Sequence, residues 1–100
     1  MMKRTLRIAL TPFTMERTKV QEKAYRVIDM IATGKRITEL RIEHGYSVSD
    51  LQKYFGFEAP QAIYKWQKGQ TLPSTDNLYA LSDLLGVSME NILVPFNKVG

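Results

Sequence analysis

The stretch from Ser47 to Gly69 constrains this chain most, because it spells two helices joined by a tight turn, each too short to stand alone. Ser47 offers a side-chain oxygen at a helix start, and Asp50 completes a capping-box-like pair with it. Val48, Leu51 and Phe55 then recur at helical spacing and Gly56 supplies a left-handed stop, which predicts a helix over 48–55. Gly56 to Ala59 make the turn. Pro60 stands where a first helical residue belongs, since its missing N–H would have no partner there, and Gly69 ends a helix predicted over 60–68. Isolated helices below about 12 residues are marginal in water, so both must dock on a larger body.

That body is legible on either side. Asp29 can cap a helix over 30–44 carrying Met30, Ile31, Ile37, Leu40 and, weakly, Ile42, with Gly45 to close it. Gly34 inside this run counts against the helix, since glycine there costs about 1 kcal/mol relative to alanine. Ser74 or Thr75 caps the next helix, whose buried face is Leu78, Leu81, Leu84 and Leu85 and whose stop is Gly86. Ser88 caps a last short helix with Met89, Ile92 and Leu93, stopped by Pro95. Five helices with short links predict an all-α bundle that needs no sheet.

A length of 100 residues fits one domain, and so small a body gains from pairing with a second copy. There is no cysteine, which excludes disulfides and thiolate metal sites and fits a reducing cytoplasm. The longest apolar runs fall far below the roughly 20 residues a membrane span needs, and Ile8-Ala9-Leu10 is too short for a secretory signal. The expectation is a cytoplasmic protein with no membrane contact. His44 is the single histidine, so no metal cluster or catalytic triad can be built on it; it belongs with the C-terminal end of the first helix. Asp50, Asp76 and Asp83 are scattered caps or solvated surface, and there is no phosphate-cradling glycine loop. Nothing here assembles an enzyme, and no cofactor or metal is expected.

Charge is segregated. Residues 1–29 carry seven Lys or Arg against three Asp or Glu, whereas residues 30–95 carry six against seven, and Lys98 brings the total to +4. The expected organisation is a basic N-terminal arm over 1–28, a folded body over 29–95 and a short tail over 96–100. Within the arm, Leu6, Ile8 and Leu10 alternate as in a strand, Pro12 breaks the pattern, and the charge-rich run from Glu16 to Arg26 reads as a loose helix or as disorder. A basic arm suits nucleic-acid phosphates. A solvated extension without a role has the same composition.

The third predicted helix sorts cleanly by face. Ile63 and Trp66 point inward with Ala59 and Ala62, and Trp66 reads as core rather than as a stacking platform. Gln61, Lys65 and Lys68 share the opposite face, with Tyr64 beside them. Gln pairs with adenine and Lys reaches guanine O6 and N7; Tyr64 suits a phosphate or a thymine methyl, and Lys68 a phosphate. Any surface helix shows polar groups, so the weight comes from where this one stands, directly after a capped helix and a glycine turn. At the far end of the chain, Tyr79, Val94 and Phe96 are the apolar residues with least claim on the core, and so candidates for self-association.

Residues 37–94 resemble the phage-repressor and Cro-like helix-turn-helix (XRE) family. The resemblance rests on Ile37, Leu40-Arg41, Gly45-Tyr46-Ser47, Leu51, Phe55-Gly56, Ile63, Trp66, Gly69, Leu72-Pro73-Ser74, Asn77-Leu78, Ala80-Leu81, Leu84 to Ser88 and Ile92-Leu93. It implies a five-helix, lambda-repressor-like domain that binds double-stranded DNA as a homodimer. It would set Gln61, Tyr64 and Lys65 against base edges, and Ser47, Ser49, Lys68 and Arg41 against phosphates. Four departures stand out. Gln67 takes the place of the glutamate that the family pairs with the arginine at Arg41. Val48 replaces a glutamine at the second helix's first turn. The turn is one residue longer than the common form. Glu58 in that turn would repel phosphate or accept from cytosine N4. The function implied is a transcriptional regulator, acting as a repressor. The alternative is a protein-interaction module, an antitoxin or adaptor built on the same fold, which the near-neutral body favours.

Overall fold

The computed structural model describes residues 25–96. The readings made for the strand-like Leu6, Ile8 and Leu10, and for nearly all of the basic arm, lie outside the described residues.

Among the described residues five helices follow in order: α1 (Met30–Glu43), α2 (Val48–Phe55), α3 (Gln61–Lys68), α4 (Thr75–Leu85) and α5 (Met89–Ile92). Side-chain caps start four of them. Asp29 accepts from the Ala32 N–H at 3.0 Å, and Ser47, Ser74 and Ser88 accept from Asp50, Asn77 and Asn91. Ser74, not Thr75, is therefore the cap of α4. Pro60 is the capping position of α3 and not its first residue, with φ −87° and ψ 5° and no side-chain cap. Because helical periodicity begins only after Pro60, Ala59 does not continue the inward face: it is exposed, while Ala62 packs against the core. α1 ends at Glu43, and His44 caps it, its ring Nδ1 2.9 Å from the Leu40 carbonyl.

One cluster of buried side chains unites all five helices: Ile37 and Leu40 from α1, Leu51 from α2, Ile63 and Trp66 from α3, Leu78, Leu81 and Leu85 from α4, and Ile92 from α5. Each such burial stabilises by about 1.5–3 kcal/mol. α1 and α3 approach most closely. A Cβ built on Gly34 would lie 2.4 Å from the Trp66 carbonyl oxygen and 2.5 Å from that of Gln67. The glycine that weakens α1 as an isolated helix is thus what lets it touch the α3 backbone. Gly69 meets Ile31 in the same way.

Thr33 is fully buried, and its hydroxyl accepts from the Val94 N–H at 2.9 Å. Beside it the chain entering α1 pairs with the chain leaving α5. Ile28 and Pro95 form an antiparallel bridge, flanked by bonds from the Asp29 N–H to Val94 (2.7 Å) and from the Phe96 N–H to Val27 (2.9 Å). Val94 is consequently half-buried, whereas Tyr79 and Phe96 are exposed. No helix among the described residues is long and apolar enough to cross a membrane.

Candidate nucleic-acid interface

The geometry of α3 follows from what it hides. Ile63 is wholly buried and Trp66 nearly so, and Gln61, Tyr64, Lys65 and Lys68 stand exposed on the other side. Spacings of three, four and seven residues keep these four on one helical face. That face carries an amide, a phenol and two ammonium groups, and no carboxylate.

Ser47 and Ser49 are both exposed at the start of α2. The capping box is complete. Ser47 Oγ accepts from the Asp50 N–H at 2.9 Å, and Asp50 Oδ2 accepts from the Ser47 N–H at 2.8 Å. The Ser47 backbone N–H and then its side chain, with a smaller contribution from Lys53, hold the Asp50 carboxyl below its ordinary pKa. An anionic group is therefore fixed where α2 begins.

Arg41 is half-buried between α1 and α3. Its Nε donates to Gln67 Oε1 at 2.9 Å and its Nη1 to the Tyr46 carbonyl at 2.8 Å. Arg41 and Gln67, which stands in place of the family's glutamate, are thus joined by a charge-to-amide hydrogen bond. The Tyr46 bond satisfies the guanidinium with a backbone carbonyl just beyond the end of α1.

The turn between α2 and α3 is also ordered by contacts that sequence reasoning passed over. Phe57 stacks on Phe55 at 5.2 Å between ring centroids and meets Trp66 edge-on at 6.0 Å; Phe55 meets Trp66 edge-on at 5.5 Å. Gln52 binds both backbone groups of Phe57, its carbonyl accepting from the Phe57 N–H (3.0 Å) and its Nε2 donating to the Phe57 carbonyl (3.2 Å). An aromatic residue beside a glycine in a turn was the available signal. Glu58 is exposed in the same turn.

Two short helices at this turn, with the second docked by one face and bare on the other, define a helix-turn-helix. A helix-turn-helix family model matches residues 37–92, more than half of the chain. The chain belongs to the XRE-type helix-turn-helix family of DNA-binding transcription regulators. Two solved structures are similar to it. The restriction-modification controller protein C.AhdI from Aeromonas hydrophila matches with a TM-score of 0.57 and 25% identity, over 64% of this chain and 96% of that one. The DNA-binding domain of BldD matches with a TM-score of 0.55 and 20% identity, over 64% of this chain and 92% of that one, a likeness of fold alone. A comparison with curated proteins finds no match.

Proposed function

We propose that the protein represses transcription by occupying a two-fold symmetric DNA site, each copy laying α3 in the major groove. Gln61, Tyr64 and Lys65 read base edges, and Ser47, Ser49 and Lys68 hold phosphates. Ser47 acts through its hydroxyl hydrogen, since its oxygen already serves the cap. Arg41 adds a phosphate contact only through the N–H groups left over from Gln67 and Tyr46, and so acts first as a brace. The observation that carries this reading is the exposed, carboxylate-free face of α3 opposite its buried one.

The body contributes little general attraction to DNA, because residues 30–95 sum to −1. Two copies on half-sites about 34–36 Å apart combine their binding energies and supply the affinity one copy lacks. Selection of bound duplexes from a random pool, at two salt concentrations, tests the reading. It is expected to return a palindromic motif whose affinity falls with salt. Recovery of no motif at either salt contradicts it.

A further inference from the structure

We infer that Phe57 and Gln52, which sit off the DNA-reading face, determine sequence specificity by fixing the angle at which α3 is presented. The inference rests on α3 being the reading helix.

A short rigid helix is oriented by two points of support. The C-terminal end of α3 has one, where Gly34 lies against the Trp66 and Gln67 carbonyls, Gly69 lies against Ile31, and Arg41 holds Gln67. The N-terminal end lacks a side-chain cap, since Pro60 provides none. The other support is on the side of α3 that faces the turn, where Phe57, set against Phe55 of α2, meets the Trp66 ring edge-on in the second half of the helix, five residues beyond Gln61. The Phe57 carbonyl accepts from the Gln52 side chain through Nε2, while the Phe57 N–H donates to the Gln52 main-chain carbonyl, a bond that any residue at 52 would make. The Gln52 side chain thereby ties the turn to α2, and the Phe57 ring joins Phe55 in packing against Trp66.

The lever is sensitive. α3 spans about 12 Å at 1.5 Å per residue. Base-edge hydrogen bonds are satisfied only over a few tenths of an ångström around 2.9 Å. A shift of about 1 Å at the N-terminal end, where Gln61 stands, is enough to break them while the protein stays folded. Attraction to phosphates changes far less, since it falls slowly with distance.

The test uses the full chain with Phe57→Ala, Phe57→Leu and Gln52→Ala. Each is titrated against its selected duplex and a random duplex of equal length, with circular dichroism to verify folding. Phe57→Ala and Gln52→Ala are expected to lower the selected-to-random affinity ratio about tenfold or more, with random binding within about twofold, and Phe57→Leu to restore much of the ratio. An unchanged ratio in folded variants, or equal losses on both duplexes, overturns the inference. Where Phe57→Ala does not fold, Gln52→Ala decides.

A readout without DNA separates this inference from the reading of α3 itself. The chain has no cysteine, so spin labels on Gln61→Cys and Asp83→Cys report only the position of α3 against α4. Their distance distribution is expected to shift or broaden in Gln52→Ala and Phe57→Ala, and to stay near that of the wild type in Phe57→Leu. An unaltered distribution in Gln52→Ala overturns the clamp even if the wild-type protein selects no DNA motif.

Discussion

Arg41 donates to Gln67 Oε1 at 2.9 Å while the same guanidinium donates to the Tyr46 carbonyl at 2.8 Å, so that α1, the link to α2 and the end of α3 meet at one side chain. Both bonds are partly buried, and losing the guanidinium strands two acceptors. Arg41→Ala is expected to destabilise the fold by about 1–3 kcal/mol, read as a lowered denaturant midpoint. Gln67→Glu turns the amide partner into a carboxylate and should stabilise by about 0.5–1 kcal/mol. A midpoint unmoved by Arg41→Ala would show that the brace carries no stability.

Gly34→Ala sets two effects against each other. Helix propensity alone favours alanine by about 1 kcal/mol. The added carbon, however, would lie 2.4 Å from the Trp66 carbonyl oxygen, and backbone cannot swing aside as a side chain can. Overpacking of this kind costs about 1–3 kcal/mol or more, so the substitution is expected to lower the melting temperature. A raised melting temperature would mean that α1 and α3 separate easily.

These two sites show where the sequence was legible and where it was not. The helices could be read because their ends carry local chemistry, as in the Ser47–Asp50 box and the Gly56 stop. The outward face of α3 could be read because Ile63 and Trp66 define its opposite. Gly34 read as a weakness, since its reason is a carbonyl on another helix. The buried Thr33 hydroxyl and the Val27–Phe96 pairing were hidden because each is a contact between distant segments too brief to leave a periodic pattern. Ala59 was misplaced by extending helical spacing one residue beyond the start of α3.

Asp50 makes stability and binding oppose each other. Its folded pKa is lowered, so its contribution to stability is complete above the ordinary carboxylate range near 4 and is lost as pH falls through the lowered folded value. Asp50→Ala should flatten that acid limb of a melting-temperature profile. The same substitution removes a negative charge beside Ser47 and Ser49, and DNA affinity at neutral pH should rise for all sequences alike. A rise confined to the selected sequence would place Asp50 against a base.

The arm carries the charge that the body lacks. Residues 1–24 hold six Lys or Arg against two Glu. Deleting them is expected to reduce the slope of log affinity against log salt by about 0.9 for each phosphate released, and by about 2 or more in total, while the selected motif keeps its core. An unchanged slope would identify the segment as a solvated extension.

The most direct measurement compares Lys65→Ala with Lys68→Ala on selected and random duplexes across a salt series. Lys65→Ala should lose about 1–3 kcal/mol on the selected duplex and relax one base preference. Lys68→Ala should weaken both duplexes equally and lower the salt slope by about 1. If Lys65→Ala leaves the selected-to-random ratio intact, the exposed face of α3 does not read bases.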